Sequence, residues 1–208
     1  MEALPQFRLL IFIGILGLFI ALEAAFPARK RLMKPWPRWR TNFSLSVLGV
    51  VVGFLLSPIV AISVAAFAAA QGWGVFNLIS LGPPSLEPWI EGLIAIILLD
   101  FAIWVQHVVF HHVPWFWRLH SVHHTDRDLD ATSGVRFHPV EIGISLFWKA
   151  AVILMLGPLI IAAVIFEIVL NGMSIYTHSN IALPGQLDRA MRSLFVTPPM
   201  HRIHHSVI

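Results

Sequence analysis

No charged residue occurs between Thr41 and Leu86, and this run limits the chain more than any other feature. Charged residues make up 12% of the chain and hydrophobic residues 57%, whereas a soluble domain carries about 25% charged residues. Only helices and closed barrels satisfy the backbone inside a bilayer, and about 20 apolar residues in a helix span it. The sequence therefore predicts an all-α polytopic transmembrane protein, in contact with the lipid bilayer.

Three apolar stretches are the first candidates for membrane spans. They run from Phe7 to Phe26, from Phe43 to about Ala70, and from Trp89 to about Gln106. We expect Pro58 to kink the second span, because proline removes a helical hydrogen bond. The segment from Gly72 to Pro88 predicts a connecting loop or a shallow re-entrant piece.

A fourth apolar stretch, from Ile142 to about Tyr176, is long enough for two spans. It fits a tight helical hairpin that breaks near Gly157 and Pro158. The alternative is one long span followed by an amphipathic surface helix.

A cluster of six cations sets the predicted orientation. The cluster consists of Arg29, Lys30, Arg31, Lys34, Arg38 and Arg40. By the positive-inside rule this loop is cytoplasmic. Counting the crossings that follow places His107 and all later histidines on the same side. We therefore expect an integral membrane protein with a cytoplasmic histidine-rich cap, and no nucleic-acid partner.

The chain has 11 histidines, and none occurs before residue 107. His107 and His111 are one helical turn apart and share a face with Asp100 and Trp104. Such a pair can bind one metal from the end of a membrane helix. The chain has no cysteine, which excludes thiolate metal sites, iron–sulfur clusters and cysteine nucleophiles.

The motif H-x-x-H-H occurs twice, from His120 to His124 and from His201 to His205. On a helix its histidines project from one face, and the last two diverge by about 100°, so that they can reach different metals. The candidate ligands are His107, His111, His120, His123, His124, His178, His201, His204 and His205. Imidazole suits iron, copper, nickel and zinc, so the ligand type does not choose the metal.

Some neighbouring polar residues are candidates for orienting the ligands. Asp100 is a carboxylate within a span, which is costly and therefore a functional candidate. His138 and Asp130 are candidates for the same role. His112 points off the face that carries His111 and is not expected to bind metal. The charged run around Asp130 predicts a solvated loop.

Several motifs, in order, resemble the fatty acid hydroxylase superfamily, and most of all its bacterial sterol desaturase-like members. They are His107-x-x-x-His111, WRLHSVHHTDRDLDATSGVRFHPVE, HSNIALP and VTPPMHRIHHS. We therefore expect N-terminal transmembrane helices in residues 1–94 and a fatty acid hydroxylase-like domain in residues 95–208. Relatives usually continue past the last histidine pair, so we expect this domain to be truncated at its C-terminus.

The resemblance implies that the nine histidines hold two iron ions, with zinc as a substitute in isolated protein. It implies hydroxylation or desaturation of a C–H bond in a membrane lipid, either a fatty acyl chain or a sterol-like molecule. It also implies that dioxygen is the oxidant and that an external redox partner supplies electrons. Relatives often carry arginine where this chain has Val108, and some carry histidine in place of Ser174. A zinc-dependent membrane hydrolase and a non-catalytic metal-binding or transport protein are the alternatives.

The topology can be tested with reporter fusions after residues 35, 80, 125 and 190. We expect them to read inside, outside, inside and inside, because the cation cluster anchors the first loop and the hairpin returns the chain. Alkaline phosphatase and fluorescent protein fusions measure the side directly. A reporter at 190 on the opposite side from 125 would contradict the hairpin.

Overall fold

The computed structural model describes residues 4–80 and 86–206, and this part of the chain contains α-helices, short 3-10 turns and no strand beyond one isolated bridge between Pro27 and Ile181. The helices are α1 (Leu4–Ala25), α2 (Pro35–Leu55), α3 (Ala61–Gln71), α4 (Val75–Ser80), α5 (Pro88–His112), α6 (Pro114–His124), α7 (Pro139–Leu156), α8 (Ile160–His178), α9 (Gly185–Met191) and α10 (Pro198–His204). The all-α prediction is confirmed.

Five helical segments of the described chain are long and apolar enough to cross a membrane. They are Phe7–Ala25, Ala61–Ile79, Pro88–His112, Pro139–Leu156 and Ile160–His178. Their length and composition are those of an integral membrane protein. The side of the membrane on which each end lies stays a prediction.

The second predicted span differs from the structure. Instead of one kinked helix from Phe43 to Ala70, α2 ends at Leu55 and α3 begins at Ala61, with a 3-10 turn at Ser57–Ile59 between them. Pro58 lies in that turn, where its missing N–H does not interrupt a helix. The apolar segment that is long enough to span, Ala61–Ile79, comprises α3 and α4. Helix α4 lies in the stretch from Gly72 to Pro88, which we predicted as a connecting loop or a shallow re-entrant piece, and residues 81–85 of that stretch lie outside the described residues.

The hairpin prediction is confirmed, because α7 and α8 are separate helices joined at residues 157–159. Gly157 ends α7 with φ 61°, a left-handed conformation that favours glycine. A Cβ there would lie 2.2 Å from the carbonyl oxygen of Trp73, so this position also requires the absence of a side chain. Lys149 of α7 and Glu167 of α8 form an ion pair at 2.5 Å.

The chain divides into two compact units. The first unit comprises Met1–Val47, Ser121–Phe137 and Leu170–Ile208, and the second comprises Leu48–His120 and His138–Val169. In the second unit, α7 packs against α3 and α5. Phe76, Ala95 and Ala162 form a buried apolar cluster there. The predicted domain boundary after residue 94 stays a prediction.

Buried charges hold the first unit together. Arg38 of α2 is 5% exposed and donates to both carboxylate oxygens of Asp126, at 2.7 and 2.8 Å, and to Asp130 at 3.0 Å. Burial alone would raise the pKa of Asp126, but hydrogen bonds from Arg38 and Ser133 hold it below its usual value. The prediction that this charged run is a solvated loop is wrong, because Asp126 and Asp130 are buried against α2.

The ion pair in the α7–α8 hairpin gives a stability prediction. Lys149→Met would leave Glu167 charged without its cation in an apolar region, whereas Lys149→Met combined with Glu167→Leu removes both charges. We expect the single variant to lose about 3 kcal/mol of unfolding free energy, and the double variant to regain most of it. Denaturant unfolding in detergent measures both. Lys34→Met, at an exposed cation, is the control, and equal losses in single and double variants would refute the coupling.

Candidate metal centre

Four imidazoles converge in the first unit. His123 lies near the end of α6, His178 ends α8, and α10 contributes His201 with His205 directly after it. The Nε2 atom of His178 is 2.9 Å from that of His123, 3.0 Å from that of His201 and 3.2 Å from that of His205. The Nε2 atoms of His201 and His205 are 3.1 Å apart. One nitrogen from each of four rings therefore faces a common point, and this group is called the tetrad below.

The hydrogen bonds of two tetrad rings select the tautomer that each ring adopts when it is neutral. The Nδ1 atom of His123 is 3.1 Å from the carbonyl oxygen of Arg136, and that of His178 is 2.6 Å from the carbonyl oxygen of Ser174. A carbonyl only accepts, so each Nδ1 donates, and in a neutral ring Nε2 then carries a lone pair. Two lone pairs 2.9 Å apart repel each other unless a cation, either one proton or a metal ion, lies between them. One proton joins only two of the four nitrogens that converge here, whereas a metal ion binds all four, so the tetrad fits a metal ion.

A second group in the first unit consists of His124, His204 and His205, whose candidate ligand atoms lie within 4.8 Å of one another. The rings of His124 and His205 are stacked with centroids 4.0 Å apart. The planes of adjacent rings are nearly perpendicular, at 84° for His123 and His124 and 85° for His204 and His205. In the first motif, His123 belongs to the tetrad and His124 to the second group, as the predicted divergence requires. In the second motif, His204 and His205 lie together in the second group, and His205 also belongs to the tetrad.

The second unit holds the other three candidate ligands. The ring centroids of His107 and His111 are 4.6 Å apart, and His120 lies 4.8 and 4.9 Å from them. Glu141, in the first turn of α7, accepts a hydrogen bond from Nδ1 of the buried His120 at 2.7 Å. A carboxylate on Nδ1 selects the tautomer whose Nε2 carries a lone pair, and it makes that nitrogen more basic.

The residues predicted to orient ligands have other contacts. Asp100 is exposed within α5, and among the described residues it makes no hydrogen bond to a histidine. His138 precedes Pro139 in the expected extended conformation and caps α7, with its Nδ1 accepting the N–H of Val140 at 3.2 Å. Asp130 accepts from Arg38 and caps a 3-10 turn. An orienting role for these three side chains stays a prediction.

Sequence reasoning missed the groups that contact the ligand rings. Glu141 lies in the quoted segment HPVE but was not singled out. Ser174 replaces a histidine of some relatives, yet its carbonyl holds His178, and its hydroxyl donates to Gly134 at 2.8 Å. A Cβ on Gly134 would lie 2.6 Å from that Ser174 carbonyl, so the close approach requires glycine. A backbone carbonyl is present in every residue, so the sequence does not show which carbonyls contact the histidines. Of these groups, only Glu141 has a side chain whose charge could have identified it.

The described part of the chain is that of a helical membrane protein with groups of imidazoles that could hold metal ions. The fatty acid hydroxylase family model matches residues 92–208, more than half of the chain, and the chain belongs to that family. The resemblance seen in the motifs, expected over about residues 95 to 208, is confirmed.

A search of characterised proteins finds similarity to the ornithine lipid hydroxylase OlsE of Rhizobium tropici. The two are 25% identical over 117 residues, which are 56% of this chain and 34% of that protein. The match thus covers about a third of the length of this relative. No solved structure matches the chain.

The grouping of the histidines gives a prediction for metal binding. His123→Ala and His204→Ala should each abolish activity and lower the metal content, with little further loss in the double variant, because ligands that act as a unit are not additive. His112→Ala should keep most of the metal, since His112 is exposed and bonds the carbonyl of Val108. Elemental analysis of purified variants measures metal per chain. Full metal and activity in His204→Ala, or complete metal loss in His112→Ala, would contradict the assignment.

Proposed function

We propose that this chain is a membrane lipid hydroxylase, which oxidises a C–H bond of a lipid with dioxygen and two iron ions. The tetrad is the observation that carries the proposal, since the Nε2 atom of His178 lies 2.9–3.2 Å from that of each other member. Family membership supports a lipid hydroxylase. An aliphatic C–H bond cannot be broken by side-chain acids or bases, and the bound metal would supply the oxidising power.

The protein residues hold and orient the metal ligands in this proposal. The nine histidines named above are the proposed ligands, as the resemblance implies. The carbonyls of Arg136 and Ser174 hold His123 and His178, and Glu141 holds His120. These contacts favour the tautomer in which Nε2 of His123, His178 and His120 is unprotonated, and they fix the ring orientations. A metal ion can then bind without first reorienting these three rings. No side-chain nucleophile is part of the proposal.

The substrate and electron source follow from the surroundings of the site and from the sequence. Five apolar segments present hydrocarbon surface to the bilayer, so a membrane lipid reaches the protein without crossing water. The relative is an ornithine lipid hydroxylase, which makes an ornithine lipid the first substrate to test. The chain has no cysteine for an iron–sulfur cluster, so we propose an external electron donor. We place the histidines at the cytoplasmic face of the bacterial inner membrane.

Lipid analysis of cells tests the proposal. The chain is expressed in a bacterial host that makes ornithine lipids, and lipids are extracted after growth under isotopically labelled dioxygen. We expect lipids that have gained one labelled oxygen atom in cells with the wild-type chain and in cells with His112→Ala. Cells with His123→Ala should lack them, because a tetrad ligand is lost.

The outcomes separate the alternatives. Labelled lipid that persists in His123→Ala would refute the role of the tetrad. Cleaved lipid without labelled oxygen would indicate a hydrolase. Metal-loaded protein with an unchanged lipid profile across several hosts would indicate a metal-binding protein without this activity. Iron content and reductant-dependent oxygen uptake of the purified protein provide the second readout.

A further inference from the structure

We propose that Arg136 is a positioning residue for the metal ligand His123, and that Asn42 of α2 fixes Arg136 in this role. The inference rests on the proposed metal-binding role of the tetrad. It goes beyond the family match, because residue 42 lies outside residues 92–208. All the contacts involved lie within the first compact unit.

Arg136 holds both the ring of His123 and the helix end that carries it. Its carbonyl oxygen accepts from Nδ1 of His123 at 3.1 Å. Its guanidinium donates at 2.8 Å to the carbonyl of Val122 and at 2.8 Å to the hydroxyl of Thr125, at the last turn of α6. The next residue, Phe137, stacks on the His123 ring with centroids 4.6 Å apart and planes 10° apart. A shift of residue 136 would therefore move the ring in both position and tilt.

Asn42 determines where the Arg136 guanidinium lies. Asn42 is fully buried, and its Nδ2 donates to Asp126 at 3.1 Å and to Thr132 at 2.9 Å. Because a carboxylate only accepts, the amide cannot be flipped, and its Oδ1 must face away from Asp126. That oxygen accepts from Arg136 at 2.8 Å. Asp126 thus fixes the orientation of the Asn42 amide, and the oxygen of this amide fixes the position of the Arg136 guanidinium.

Charge compensation alone does not account for Arg136. Asp126 is already bound in a bidentate manner by Arg38, with distances of 2.7 and 2.8 Å. Arg136 is half-buried and makes no direct hydrogen bond to Asp126; its guanidinium donates instead to neutral oxygens of Asn42, Val122 and Thr125. What Arg136 provides is a rigid fork that contacts three separate acceptors, one on α2 and two at the end of α6.

Cobalt binding tests the inference without lipid turnover. The purified full chain is stripped of metal and loaded with Co²⁺. Its visible spectrum reports ligand geometry, and a chelator chase gives the dissociation rate. Arg136→Ala should change the spectrum and raise the dissociation rate about 10–100-fold, the usual effect of losing a group that orients a ligand. Added guanidinium, below denaturing concentration, should restore slow dissociation in Arg136→Ala.

The proposed coupling is tested with Asn42→Ala. It should shift the spectrum and rate in the same direction, and the double variant should be no worse than Arg136→Ala alone, because both act through one contact. Arg127→Ala, an exposed cation in the same loop, is the matched control and should behave as wild type. Additive effects in the double variant would overturn the role of Asn42.

The remaining outcomes also decide the question. Wild-type spectra and rates in both variants would overturn the inference and leave the metal centre intact. Failure of the wild type to bind Co²⁺ would overturn the metal centre of the proposed function itself. If Arg136→Ala does not elute as a folded species, Asn42→Ala carries the same measurement. Misfolding of both variants beside a folded Arg127→Ala would show a purely structural role and refute the proposal.

Discussion

The ion pairs of Arg38 with Asp126 and Asp130 are the interaction on which the first unit depends. Each of these three groups is 6% exposed or less, so none is solvated well enough to keep its charge alone. Removing one partner would leave an uncompensated buried charge, which costs several kcal/mol, roughly 3–5. The segment that follows the first H-x-x-H-H motif therefore folds against α2 rather than extending into solvent.

Glu23 connects α1 to two polar segments of the first unit, whereas Arg38 connects α2 to one of them. Its buried carboxylate accepts the backbone N–H of Ala131 at 2.7 Å and that of Asn180 at 2.6 Å, and Arg31 donates to it at 3.2 Å. Asn180 is two residues past His178, and its own side chain donates to the carbonyl of Arg29. The N-terminal helices thus do more than anchor the chain in the membrane. They supply the acceptors and the cation that fix the polar segments beside the tetrad.

The sequence predicted the features that depend on local spacing. The apolar runs gave the α7–α8 hairpin, and helical periodicity gave the diverging rings of His123 and His124. Contacts between distant segments could not be predicted in this way. Arg38 belongs to a cation cluster that indicates topology, and its partner Asp126 is 88 residues away. The contacts of Glu23 could not be predicted either, because the sequence shows only a charged residue near the end of a span. Pro58 lies in a turn between two helices and not within one kinked helix, and proline is compatible with both arrangements.

The Nδ1 atoms of the histidines donate to different kinds of acceptor in the two units. In the first unit, His123 and His178 donate to neutral carbonyls, which fix the tautomer without adding charge. In the second unit, His120 donates to the carboxylate of Glu141, which fixes the tautomer and also increases electron donation from Nε2. An anionic partner favours a more positive metal, whereas a carbonyl partner mainly fixes geometry. The histidines of the chain are therefore not equivalent donors, although all are imidazoles, and the difference arises in residues that the histidine motifs do not contain.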